Sequence, residues 1–126
     1  MRLWHEKLIS ELPRQQLLGQ HRECCALRGN GWGKPHSTVN YIFQYPPYML
    51  FNYHEKVMNE MESRGYNVNP LWKDPTYRGL SASNYSGIAE MKGKGLINSY
   101  PEHTDQYLRE CLDNLSEKGI EININF

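Results

Sequence analysis

The chain has 126 residues, with 14 Lys plus Arg against 14 Asp plus Glu, so its formal net charge at pH 7 is zero. That length suits one hydrophobic core and excludes two full ones, and the even balance excludes a global field that would gather a polyanion. Three cysteines, Cys24, Cys25 and Cys111, give neither a disulfide framework nor a Cys-x-x-Cys pair, and no stretch approaches the roughly 18 apolar residues of a membrane span. The expectation is one cytoplasmic domain over 1–126, monomeric and without a membrane or an apolar leader.

The first helix is predicted over Arg14 to Leu27, since Pro13 suits a first turn and Leu17, Leu18, His21, Cys24, Cys25 and Leu27 recur at helical spacing. Gln16, Gln20 and Glu23 fall on a different, polar face. The run RGNGWGKPH, Arg28 to His36, then breaks the helix with three glycines and a proline. It lacks the Gly-x-x-x-x-Gly-Lys-Ser/Thr spacing of a phosphate loop, so its glycines are turn and cap positions. A second helix starts near Pro46 or Pro47 and runs over Tyr48 to Ser63, burying Leu50, Tyr53, His54, Val57, Met58 and Met61. Arg64 and Gly65 end it, the glycine as a left-handed cap.

From Asn67 to Asn98 there is no sustained period, which gives long ordered loops with a short helix around Asn84 to Met91. Ser99 and Glu102 have capping-box spacing ahead of a third helix over His103 to Lys118, with Tyr107, Leu108, Cys111, Leu112 and Leu115 on one face and Gly119 closing it. The tail IEININF alternates like a strand but has no partner, and is expected to form an extended C-terminal arm. The fold class is therefore mainly all-α: about three principal helices, long ordered loops, and an extended N-terminal segment threaded among the helices. Leu17, Leu18, Val57, Met58, Leu108 and Leu112 should be buried.

Charge is unevenly spread. Between Met1 and His36, Arg2, Lys7, Arg14, Arg22, Arg28 and Lys34 stand against only Glu6, Glu11 and Glu23. The sharpest feature is Arg22-Glu23 on the polar side of a helix, near a basic N-terminus and a basic glycine loop. For a metal, only His21 with Cys24 or Cys25 has helix-compatible spacing, and two ligands do not complete a zinc site, so no metal and no other cofactor is expected. His5, His36, His54 and His103 read as unpaired. No Gly-x-Ser-x-Gly nucleophile signature occurs, and the cysteines, on the apolar stripe, read as core packing.

The stretch LISELPRQQLLGQHRE, Leu8 to Glu23, resembles the N-terminal motif of the pyrimidine-dimer DNA glycosylases of the phage endonuclease V type, in which a Ser-Glu-Leu segment leads into a helix ending in Arg-Glu. The run YIFQYPPYMLFNYHEKVMNEMESRGYNV, Tyr41 to Val68, is similar to that family's aromatic entry, second helix and closing Arg-Gly-aromatic-Asn. The two blocks stand in the family's order and near its separation.

The resemblance implies a DNA-repair glycosylase with associated AP-lyase, or endonuclease, activity on damaged double-stranded DNA. Its nucleophile would be an N-terminal α-amine, supplied here by Met1 because Arg2 is too large for removal of the initiator methionine, and its catalytic carboxylate would be Glu23. An α-amine, with a reference pKa of about 7.7–8.0 against about 10.4 for lysine, is partly neutral near pH 7. Arg22 matches a family arginine on DNA phosphate and Gln15 a polar neighbour; Arg2, Arg28 and Lys34 complete the expected DNA surface. Ala26, three residues past Glu23, and the neutral tail lower the basic character, which predicts weaker nonspecific affinity. The alternatives are a non-catalytic nucleic-acid or nucleotide-binding protein on the same scaffold, and an interaction module in which Arg22 and Glu23 form only surface pairs.

Overall fold

The computed structural model describes residues 2–34, 38–80, 82–84 and 99–125; Met1, His36 and most of the short helix expected over Asn84 to Met91 lie outside the described residues. Among the described residues three α-helices carry the fold: α1 (Arg14–Arg28), α2 (Pro47–Ser63) and α3 (Asp105–Glu117). Short 3₁₀ turns at Glu6–Glu11, Asn40–Gln44 and Pro70–Lys73 steer the loops. Among the described residues there is no strand, and no helix is long and apolar enough to cross a membrane.

The ends of α1 and α2 follow from their punctuation. Pro13 and Pro46 precede the first helical residues, where a missing N–H costs nothing, and Gly65 stops α2 with φ of 84°. Gly29 ends α1 for a different reason: a Cβ there would lie 2.8 Å from the Arg78 carbonyl oxygen, so close backbone packing demands glycine. Arg64 Nη1 donates to the Leu12 carbonyl at 2.7 Å, tying the end of α2 to the entry of α1.

The start of α3 departs from the sequence expectation. Thr104, not Ser99, is the N-cap, and its hydroxyl accepts from the Tyr107 amide at 3.1 Å. The chain first turns at Tyr100–His103, closed by the His103 amide on the Tyr100 carbonyl at 2.9 Å. That turn delivers the His103 ring into the interior, so the helix begins after it. Glu102 instead accepts from the Tyr45 hydroxyl.

α1 packs on α2, and the core runs through Leu17, Cys24, Leu27, Leu50, Tyr53 and Val57 to Leu108, Cys111 and Leu115 of α3. Met58 is buried as expected, whereas Leu18 and Leu112 are only partly buried at the margin. The C-terminal residues do alternate: Ile120, Ile122 and Ile124 pack against the core while Glu121, Asn123 and Asn125 face solvent. A period of two thus serves an extended segment lying on helices.

The N-terminal segment is threaded among the helices, as expected, and side chains meet its backbone. Gln20 Nε2 donates to the Arg2 carbonyl at 3.0 Å and Gln20 Oε1 accepts from the Trp4 amide at 2.8 Å. The Tyr107 hydroxyl donates to the Leu3 carbonyl and the Tyr53 hydroxyl to the Trp4 carbonyl, each at 2.5 Å. Buried backbone polar groups must find partners, and here α1, α2 and α3 supply them as a sheet otherwise would.

Candidate active site

Where the N-terminal segment crosses α1 there is a cleft of about 260 Å³, lined by Arg2, Trp4, Glu23, Thr38, Asn114 and Lys118. It is smaller than the roughly 300–1,000 Å³ that encloses a drug-sized ligand, a scale suited to one reacting unit of a larger substrate. Glu23 lies at its heart. Glu23 Oε2 accepts from the Arg2 amide at 3.4 Å and from Gln20 Nε2 at 3.1 Å. Burial raises the Glu23 carboxyl above its ordinary value, opposed by the hydrogen bonds from the Arg2 amide and the Gln20 side chain. A carboxylate so placed is a stronger proton acceptor than a surface glutamate.

Two cations line the same cleft. The Arg2 guanidinium lies 5.9 Å from the Trp4 ring centre and 5.7 Å from that of Tyr107, and Lys118 Nζ lies 5.3 Å from the Trp4 ring. Trp4 is buried, so its indole is the wall over which both cations are spread. The cleft therefore presents one partly desolvated carboxylate together with two positive charges, the cations suited to an anionic backbone and the carboxylate to a developing cationic centre.

Of the residues expected from sequence, Arg2 and Glu23 are brought together here. Arg22 is exposed beside Glu23 on α1, and Lys34 is exposed in the glycine loop. Gln15 is exposed eight residues before Glu23, about 12 Å along the axis at 1.5 Å per residue, and does not line the cleft. Met1 lies outside the described residues.

Arg28 is a correction. Expected on the phosphate-binding surface, it is 1 % exposed. It donates to the carbonyl oxygens of Trp72, Asp74 and Tyr77 at 2.8–2.9 Å, and to His54 Nδ1 at 2.9 Å, with its guanidinium 5.1 Å from the Phe51 ring and 5.0 Å from the Trp72 ring. It fastens the loop after α2 onto the end of α1. Arg78 closes the same seam from the other side through the carbonyls of Arg28 and Gly29.

Further expectations are overturned, and among them His5 and His103, read as unpaired, meet each other and Glu6. Cys25 is not a core cysteine like Cys24; it is half-buried beside His21 and His54. His54, read as unpaired, contacts both Arg28 and His21. Sequence reasoning also missed Trp4, Gln20, Thr38, Asn114 and Lys118. Gln20 was detectable as the neighbour three residues before Glu23. The others had no local signal, since Lys118 reaches Glu23 only through the packing of α3.

A family model described as pyrimidine dimer DNA glycosylase matches residues 1–74. That span holds α1, α2 and the cleft residues Arg2, Trp4, Glu23 and Thr38, and leaves Asn114 and Lys118 outside. No curated protein and no solved structure gives a significant match.

Proposed function

The chain belongs to the pyrimidine dimer DNA glycosylase family, and on that premise we propose that it excises a damaged pyrimidine from duplex DNA and cleaves the strand through an imine. The Met1 α-amine, in its neutral form, attacks the sugar C1′. The C1′–N bond breaks, its electron pair leaves with the base, and the sugar ring opens as the amine's nitrogen becomes an iminium. Loss of the C2′ proton then expels the 3′ phosphate by β-elimination. Glu23 serves as the carboxylate that stabilises the cationic sugar and carries protons to and from C2′ and the ring oxygen.

The observation that carries this reading is the hydrogen bond from the Arg2 amide to Glu23 Oε2. Arg2 is one peptide unit from Met1, and successive Cα atoms are about 3.8 Å apart, so covalent geometry supports an amine within reach of the same carboxylate. Arg2, Arg22, Lys34 and Lys118 supply phosphate contacts, and extrusion of a nucleotide toward the cleft is cheapest at a distorted or weakly paired site. The test is borohydride reduction during incubation with duplexes carrying an abasic site or a cyclobutane dimer. A covalent protein–DNA adduct from wild type and none from Glu23→Gln is the expected result. Wild type that binds these duplexes and never forms an adduct overturns the enzyme in favour of a binding protein.

A further inference from the structure

Away from the cleft, α1 and α2 bring together three side chains of metal-ligating type. His21 and Cys25 stand one turn apart on α1 and His54 faces them from α2, with all their donor atoms within 4.8 Å of one another. His21 Nδ1 is 2.8 Å from His54 Nε2, and Cys25 Sγ is 3.9 Å from each of those nitrogens. Tetrahedral zinc, with Zn–N of about 2.0–2.1 Å and Zn–S of about 2.3 Å, sets its ligand atoms roughly 3.3 Å (N···N) and 3.6 Å (N···S) apart. The imidazoles need open by only about half an ångström and the sulfur close by about 0.3 Å, shifts that small side-chain rotations supply.

We propose that His21, Cys25 and His54 form a binding site for a borderline-soft divalent transition metal of the zinc class, with the fourth position open on the side where His21 and Cys25 reach solvent. The donor set selects the ion: two imidazoles and a thiolate suit zinc or cobalt and not magnesium or calcium.

Arg28 decides how the ion enters. A guanidinium only donates, so its bond to His54 Nδ1 leaves the ring proton on Nε2, shared with His21 Nδ1. A zinc-bound histidine ordinarily turns its outer N–H to an acceptor; here the outer partner is a donor, and the proton between the imidazoles must leave. Binding therefore exchanges two protons, from His54 Nε2 and from the Cys25 thiol, for one dication. The site holds one net positive charge before, on Arg28. It holds one after, when dication and guanidinium face thiolate and imidazolate, so the buried net charge is unchanged by loading.

This site is independent of the glycosylase reading, and so is its test. Purified protein is titrated with Co²⁺ while the near-ultraviolet thiolate-to-cobalt charge-transfer band and proton release in weak buffer are followed. Expected are one equivalent bound, two protons released per ion and displacement of the band by Zn²⁺. Cys24 and Cys111 are both fully buried, so the band should vanish in Cys25→Ser. His21→Gln, at a half-buried position, should weaken binding at least tenfold while the protein stays folded by circular dichroism; it covers the case in which a change at buried His54 prevents folding. Wild type that gives no charge-transfer band at saturating Co²⁺, or a band that survives Cys25→Ser, overturns the site.

Discussion

Gln20 Nε2 stands 3.1 Å from Glu23 Oε2 and 3.0 Å from the carbonyl oxygen of Arg2, so one buried amide fixes the carboxylate and the N-terminal backbone against each other. Its oxygen accepts from the Trp4 amide and the Tyr53 hydroxyl. All of this is satisfied at a position 1 % exposed. Gln20→Leu keeps approximate volume and removes every one of these bonds. Buried groups left without partners cost about 1–3 kcal/mol each, so a stability loss of at least about 2 kcal/mol is expected in denaturant unfolding. The adduct-forming rate should fall by more than the affinity for abasic duplex, because geometry at Glu23 is lost while the phosphate contacts stay. Equal losses in rate and affinity would show that Gln20 matters only to folding.

Glu23 carries a stability cost with a definite pH sign. Burial raises its carboxyl above the ordinary value, so the folded state binds a proton more readily than the unfolded one in the window above the unfolded value. Stability then falls as pH rises through that window, and the cost is fully present once the folded carboxylate is ionised. Glu23→Gln should accordingly melt higher than wild type at pH 7, with the difference shrinking as pH falls below the usual carboxylate range, while turnover is lost at every pH. Wild-type activity should also decline on the acid side at a pH above that of an ordinary glutamate. Parallel melting of the two proteins from pH 4 to pH 8 checks the sign, and a variant less stable at pH 7 contradicts it.

The helices were readable because proline, glycine and periodic leucines are local signals. α1 was expected to end at Leu27 and ends at Arg28, and α2 was expected to start near Pro46 or Pro47 and starts at Pro47. Which polar residues are buried was not readable, because that depends on partners far along the chain. Arg28 looked like a phosphate ligand until its acceptors, 44 to 49 residues away, enclosed it. Ser99 matched a capping box, yet burial of the His103 ring displaced the helix start to Thr104. At the cleft, Glu23 and Arg2 were named from the first segment, whereas Asn114 comes from α3 and Lys118 from its C-cap, beyond the matched family region.

Arg28 and Lys118 should separate cleanly under mutation. Arg28→Met removes the charged donor to His54 Nδ1 and to three part-buried carbonyls, and at about 1.5–3 kcal/mol for each bond made by a charged group the loss is at least about 3 kcal/mol. For a domain of this size that lowers Tm by roughly 10 °C or more. Lys118→Ala and Arg22→Ala, at exposed positions, should leave Tm within about 2 °C and each reduce the slope of log affinity against log salt by about 0.9. Thermal melts and salt-titrated binding to one labelled duplex give both readouts. An unchanged slope in Lys118→Ala removes Lys118 from the phosphate surface.

The register of the N-terminal segment gives the sharpest check on the nucleophile. Gln20, Tyr107 and Tyr53 hold the backbone of Arg2, Leu3 and Trp4, so an inserted residue cannot be absorbed by sliding without breaking those bonds. A leucine placed between Met1 and Arg2, too large to permit removal of the methionine, therefore carries the α-amine outward by up to about 3.3–3.6 Å, more than a near-attack geometry tolerates. The expected pattern is loss of the borohydride-trapped adduct by at least 100-fold, with duplex affinity and Tm close to wild type. Acetylation of the original α-amine should abolish the adduct without moving any atom of the anchored segment, which separates loss of the nucleophile from loss of register. An adduct that persists through both changes assigns the attack to a lysine, and Lys118, which lines the same cleft as Glu23, is then the residue to replace first.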